Sequence, residues 1–161
     1  MTNSLSAIAQ IEAALSSKSQ WTASAVAAFL LETRIPLRLS TTNSGGYPQI
    51  TSLWFALREQ RLWCCTQGNS VVSRHIQRDG RAGFEVAVND PPYYGISGYG
   101  HARIVDGDAT ELLTQLVDAQ LGERDPKLKA WLLSRVASEA IVEITPVHIT
   151  SWDFRKRMSA G

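Results

Sequence analysis

The sequence predicts an α+β fold built on an antiparallel sheet of six strands, and three observations predict it. Strand-like segments follow one another in hairpin order, turn residues separate neighbouring strands, and helical periodicities interrupt the strands without regular β-α-β alternation. Six such strands can curl into a small barrel. At 161 residues, 44% hydrophobic and 19% charged, the chain suits one core rather than two, and is too apolar for a disordered tail or a collagen-like fibre. We read residues 1–20 as a loose N-terminal extension and 21–161 as a single domain.

The first helix follows Thr22, where Ala25, Val26, Phe29 and Leu30 recur at three- and four-residue spacing, with Thr22 or Ser24 as its cap. Pro36 blocks its continuation, and Leu37–Thr41 alternates as a half-buried strand that turns at Asn43-Ser44-Gly45-Gly46. Gln49–Phe55, β-branched and aromatic, is the return strand. A turn at Arg58-Glu59-Gln60 leads into the third, Arg61–Thr66. Gln67–Ser70 then reads as a loop feeding a short helix from Val71 to about Arg78, capped by Ser70 and stopped by Asp79-Gly80. In strand four Ala82, Phe84, Val86 and Val88 alternate with Gly83, Glu85, Ala87 and Asn89, and Asp90-Pro91-Pro92 closes it. Strand five, Gly95–Val105, carries Ile96, Gly98, Gly100, Ala102 and Ile104 on one face and Ser97, Tyr99, His101 and Arg103 on the other, and its glycines predict a close approach. Asp108 and Glu111 have capping-box spacing ahead of a helix ending near Gly122, and Asp125-Pro126 opens another. The last strand, Ala140–Ile144, is expected to break at Pro146 and resume through Ile149.

Sixteen basic and fifteen acidic side chains leave a formal charge of +1, which gives no general attraction to nucleic acid or anionic lipid. No apolar run approaches the ~20 residues that span a bilayer, and Gln10 and Glu12 sit where a signal peptide would be apolar, so a cytoplasmic protein is expected. The two cysteines, Cys64 and Cys65, are neighbours on a strand and point to opposite faces, which disfavours a bridge and fits a reducing compartment. The three histidines show no ligand spacing, and no metal site is expected.

The segment richest in chemistry is Thr66-Gln67-Gly68-Asn69-Ser70, where hydroxyls, a glycine and free amides meet at a helix N-terminus, a place that takes phosphate readily. The same residues also serve as an ordinary turn and cap. Arg74 and Arg78, one turn apart, either add charge to an anion or form a solvated face. Tyr99, His101 and Arg103 either line a pocket or dimer seam or form a polar exposed face.

In order along the chain, four stretches resemble the pyridoxamine 5′-phosphate oxidase-like family, the FMN-binding split β-barrels. They are Leu37–Thr42 with Tyr47–Phe55; Leu62–Thr66 through Ser70 to Ile76; Asn89–Tyr93 with Gly98–Ala102; and Ile144–Pro146 with Ser151–Arg155. The resemblance spans about Phe29 to Arg155 and implies a six-stranded antiparallel split β-barrel with peripheral helices, paired as a homodimer with FMN at the interface. It further implies a flavin-dependent oxidoreductase acting on a small molecule, or else a non-catalytic protein holding flavin, F420 or haem on the same scaffold. By position, Gln49, Ile50, Thr51 and Ser52 border the flavin ring, largely through main-chain groups, and Thr66 and Ser70 meet its phosphate. Trp152 approaches the cofactor pocket, that of a partner subunit being one option, or simply packs. The chain departs from the family where a basic pair usually follows the helix-opening serine: here stand Val71 and Val72, and Arg74, Arg78 or Arg38 must replace the missing charge.

Overall fold

The computed structural model describes residues 8–159, and the order of its strands dictates a closed sheet. β1 (Leu37–Thr42), β2 (Pro48–Leu53), β3 (Phe55–Arg58), β4 (Arg61–Gln67), β5 (Arg81–Ala87), β6 (Tyr94–Val105) and β7 (Glu139–Asp153) are all paired antiparallel, in the spatial order β2-β1-β5-β6-β7-β4-β3. β2 and β3 lie at opposite ends of that order, yet only Trp54 separates them in the chain, so the sheet must curl until its ends meet. This is where the count departs from expectation: the single return strand over Gln49–Phe55 breaks at Trp54, and the sheet has seven strands instead of six.

Alternation places the core. Leu37 and Leu39 of β1, Leu62 and Cys64 of β4, Ile96 of β6, and Val142 and Ile144 of β7 all turn inward and are fully buried. Three helices cover this interior: α1 (Ala9–Ala14), α2 (Ala23–Glu32) and α3 (Val71–Arg78). The Thr22 hydroxyl accepts from the Ala25 N–H at 3.2 Å and caps α2. The loose start expected before Thr22 is, from Ile8, part of the core: α1 buries Ile11 completely, and the Gln10 backbone N–H donates to Gln60 Oε1 at 2.7 Å. That bond braces the β3–β4 turn, whose Glu59 and Gln60 hold φ of 49° and 62°, values a two-residue hairpin turn requires and side chains resist. Periodicity missed α1 because six residues are too few to establish it.

The outside of the sheet is covered unevenly. α4 (Thr110–Leu121) lays Leu112 and Leu116 over Ala56 beside Trp54, Trp63 and Cys65, shielding the β3-β4-β7 side. α4 lacks the expected capping box: Asp108 Oδ1 instead accepts from the Thr110 N–H at 2.9 Å, two residues on, ahead of the first turn. Its C-cap Gly122, at φ 53°, ends it where expected. α5 (Pro126–Ser134) is capped by Asp125, whose Oδ1 accepts from the Leu128 N–H at 2.9 Å; a short 3₁₀ turn, Val136–Ser138, leads on to β7, and α6 (Arg155–Met158) ends the described chain. Among the described residues no helix covers the outer β1-β5-β6 side, and Ile50, Tyr99 and Val147 are about half or more exposed.

β7 runs unbroken through Pro146, against expectation, because the ladder slips there: Tyr99 pairs with His148 but Gly100 with Pro146, and the bulge spares Pro146 a ladder bond. The close approach that the β6 glycines predict is to β7. A Cβ on Gly100 would lie 2.1 Å from the Thr145 carbonyl oxygen, and one on Gly98 2.2 Å from that of His148. Among the described residues no helix is long and apolar enough to cross a membrane.

Candidate functional site

Where β4 passes into α3, a corner of hydrogen-bond donors forms. Ser70 caps the helix: its Oγ accepts from the Ser73 N–H at 3.1 Å and from the Thr66 hydroxyl at 3.2 Å. A serine hydroxyl has two acceptor sites and one proton, so with both acceptor sites engaged the Ser70 proton remains available to a further acceptor. Thr66 therefore positions Ser70 and directs its own proton to it. The Gly68 and Ser70 amides are occupied, by the carbonyls of Ser138 at 2.8 Å and Gln67 at 2.9 Å. The first N–H groups of α3, those of Val71 and Val72, have no intrahelical acceptor and carry the positive end of the helix dipole.

The valines do not plug this corner. Val71 is 48% exposed, while Val72 is buried in the core and offers only its amide, so any contribution it makes to a ligand is through the main chain. Of the three arginines able to replace the missing basic pair, one is in place. Arg74 folds back over the helix N-terminus, Nη1 donating to the Asn69 carbonyl at 2.6 Å. Arg78 is tied by its Nη2 to the Thr42 carbonyl on β1, and Arg38, the ladder partner of Ser52, is drawn toward β5 by Glu85 at 3.5 Å, the Ala87 carbonyl and Asn89.

Beside the corner opens a cavity of about 290 Å³. Ser52 and Trp54 border it from the β2 end, Cys65, Thr66 and Gln67 from β4, leucines of α4 and α5 from above, and Glu139 from the start of β7. Two of the predicted residues, Ser52 and Thr66, thus face one space. Within the sheet β2 pairs only with β1, so its other edge presents unpaired main-chain groups along Gln49–Ser52. Ile50 is 72% exposed on the same side of the strand as Ser52, whereas Gln49 and Thr51 lie on the other face, the one they share with their ladder partners Thr41 and Leu39. Trp152 is not brought to this place. It pairs with Gly95 at the far end of β7, thirteen residues beyond Glu139 and so roughly 40 Å of strand away.

Three cavity residues, Cys65, Gln67 and Glu139, receive no binding role of their own from the sequence. Cys65 is half-buried, and burial first, then the nearby Glu139, pushes its thiol up to about 12, which leaves it an inert neutral wall; both cysteines are free. Gln67 spans the ladder, its Nε2 donating to Glu139 and its Oε1 accepting from the Ser138 hydroxyl at 2.8 Å. Burial pushes the Glu139 carboxyl above its ordinary range, with Gln67 and Arg135 acting in the other direction. The available signal was Glu139 and Glu143 together, two carboxylates four residues apart on one face of a strand.

A larger concavity, about 610 Å³, lies on the uncovered side of the sheet, lined by Ser40, Gly83, Tyr99, His101 and Val147, and holds none of the residues predicted to bind a cofactor. Tyr99 stacks on His148 there, with centroids 5.1 Å apart. Arg103 is separate: its guanidinium grips Glu143 at 2.9 and 3.1 Å.

Residues 23–153 match a family model described as pyridoxamine 5′-phosphate oxidase. No curated protein matches the chain. Among solved structures, a conserved hypothetical protein from Mycobacterium tuberculosis is similar at 23% identity and a TM-score of 0.71, over 89% of this chain and 91% of that one. An F420 reductase aligns at 23% identity and TM-score 0.58, over 75% and 93% of the two chains. The haem storage protein HutZ from Vibrio cholerae does so at 17% and 0.59, over 81% and 92%.

Proposed function

The chain belongs to the pyridoxamine 5′-phosphate oxidase family, and from that premise we propose that it is an FMN-dependent oxidoreductase acting on a small molecule in the cytoplasm as a homodimer. The observation that carries this reading is the β4–α3 corner: the free Ser70 proton, the first amides of α3 and the Arg74 guanidinium converge beside a cavity lined by Ser52 and Thr66. Those donors suit a phosphate, since each matches an anionic oxygen without a cation pair. The open edge of β2 at Gln49–Ser52 suits the polar rim of a planar ring. Bound there, FMN supplies hydride or electron transfer; the protein supplies orientation, exclusion of water by the α4 and α5 leucines, and the anchor. Support for pairing comes from the uncovered sheet face and from Trp152, which is too far along β7 to serve its own chain's corner and is free to serve a partner's. The free, unbridged cysteines fit a reducing compartment.

A second reading, a non-catalytic protein that holds FMN, F420 or haem, is favoured by Val71 and Val72, which omit two charge-assisted contacts worth ~1.5–3 kcal/mol each. A similar fold named as a haem storage protein supports it, and one named as an F420 reductase supports F420 as an alternative cofactor. The absorption spectrum of the purified protein separates the two. Bound flavin that is bleached by NADPH and restored by air supports the enzyme, and a Soret band supports haem. A colourless protein that refuses added FMN overturns both flavin readings. Ser70→Asp sets a carboxylate against the phosphate and is expected to weaken FMN binding roughly 100-fold or more with the fold retained. Unchanged affinity would put the anchor elsewhere.

A further inference from the structure

Beyond the cofactor itself, and resting on that reading of the corner, we infer that Glu139 sets the charge selectivity of the cavity. Ionised, it opposes a phosphate-bearing ligand at the Thr66–Ser70 corner; protonated, it admits one, so affinity for such a ligand falls as pH rises.

The geometry is direct. Glu139 sits opposite Gln67 in the β4–β7 ladder and lines the same cavity as Thr66, the residue that positions Ser70. A neutral amide holds its carboxylate, since Gln67 Nε2 is its hydrogen-bond donor. The groups that face it offer little positive charge. β4 presents Cys65, a neutral thiol; α4 and α5 present Leu113, Leu116 and Leu132; the β2 end presents Ser52 and Trp54. Arg135, after α5, acts on it from a distance with its guanidinium stacked 4.6 Å from the Trp131 ring centroid. Arg58 on β3 is engaged by Gln115 and by Glu111 at 3.2 Å. A charged carboxylate here looks into a largely apolar space, and its burial already favours the proton. A phosphate at the corner adds like charge and favours that proton further, so binding takes up a proton and weakens once the pH exceeds the carboxyl's range. Arg74, on the other side of the corner, draws the same ligand in.

The test titrates the full chain and Glu139→Gln with FMN and with riboflavin at pH 5 and pH 8, following quenching of flavin fluorescence. FMN loses its second phosphate proton near pH ~6 against both proteins alike, so the difference between them isolates Glu139. The variant is expected to bind FMN roughly 3- to 10-fold more tightly than the wild type at pH 8, and its advantage is expected to shrink at pH 5 as the wild-type carboxyl takes up its proton. Riboflavin, which lacks the phosphate, is expected to show no such difference. Identical FMN profiles in the two proteins overturn the inference and leave the cofactor reading standing, as does an equal gain for riboflavin. Refusal of FMN by the wild type takes both down. Arg135→Ala reads the same charge through a second variant: with the cation gone, the carboxyl keeps its proton to higher pH, and the loss of FMN affinity moves upward with it. A profile that does not move counts against Glu139.

Discussion

Glu139 and Glu143 share one strand, one face and one residue type, yet their surroundings drive them in opposite directions. Glu143 is 3% exposed, held by Arg103 through two hydrogen bonds and by Arg61 at 3.4 Å, and the Arg103 bonds above all keep its carboxyl below the ordinary range. Burial lifts Glu139 above that range. The cause lies in where the ladders stop. The last β6–β7 pair is Val105 with Ile141, so Glu143 has Arg103 directly across from it, while Glu139 extends past the end of β6 with β4 as its one flanking strand. A carboxylate between two strands is tied into the sheet by cations across the ladder; one that overruns β6 keeps only its β4 neighbour Gln67 and is open on the other side. The fold thus separates a carboxylate that holds strands together from one that can respond to a ligand.

The largest expected effect breaks the first half of that contrast. Glu143→Gln removes charge-assisted bonds inside the sheet and is expected to cost about 1–3 kcal/mol at pH 7 by urea unfolding, with FMN affinity unchanged. The pH dependence has a definite sign. A carboxyl whose proton affinity is depressed by folding adds stability above the unfolded value near ~4.3 and loses it as pH falls through the lower folded value. The gap between wild type and variant should therefore close on acidification toward pH 3. A gap that persists there would assign the cost to shape instead of charge. Next in size is Arg74→Ala, expected to weaken FMN binding roughly 10-fold, against no measurable change for Arg78→Ala, whose guanidinium is tied to Thr42. Equal losses in both would mean that the phosphate lies along α3 and not at its start.

Much of this architecture is legible in the residues, because local chemistry decides it. Alternation in Leu37–Thr42 and Gly95–Val105, the Thr22, Ser70 and Asp125 caps, and the Gly122 stop all appear where the sequence places them. The corner is legible too, since a serine ahead of a helix announces its own geometry. What escapes the sequence is set by distant partners. Trp54 reads as ordinary strand until the barrel has to close across it. Pro146 breaks a strand unless a bulge at Val147 of β7, opposite the Tyr99–Gly100 step of β6, relieves it. Arg74 and Arg78 are equivalent on a helical wheel and differ only in which carbonyl lies within reach. Glu139 gains its role from the point at which β6 ends, which no local pattern encodes.

The smallest expected effects sharpen the contrast by converting one carboxylate toward the other. Arg61 reaches Glu143 with a single contact at 3.4 Å from a side chain 37% exposed, so Arg61→Ala should lower the thermal midpoint by about 1–2 °C and leave Glu143 below the ordinary carboxyl range. Arg103→Ala removes both short bonds, the main cause of the depression, while the burial that raises the carboxyl remains. Glu143 should then titrate upward, toward the behaviour of Glu139, in a side-chain carboxyl titration followed by NMR. If instead Arg61→Ala produces the larger rise, the register partner on β6 does not govern this carboxylate, and the ladder's end cannot be what distinguishes Glu139.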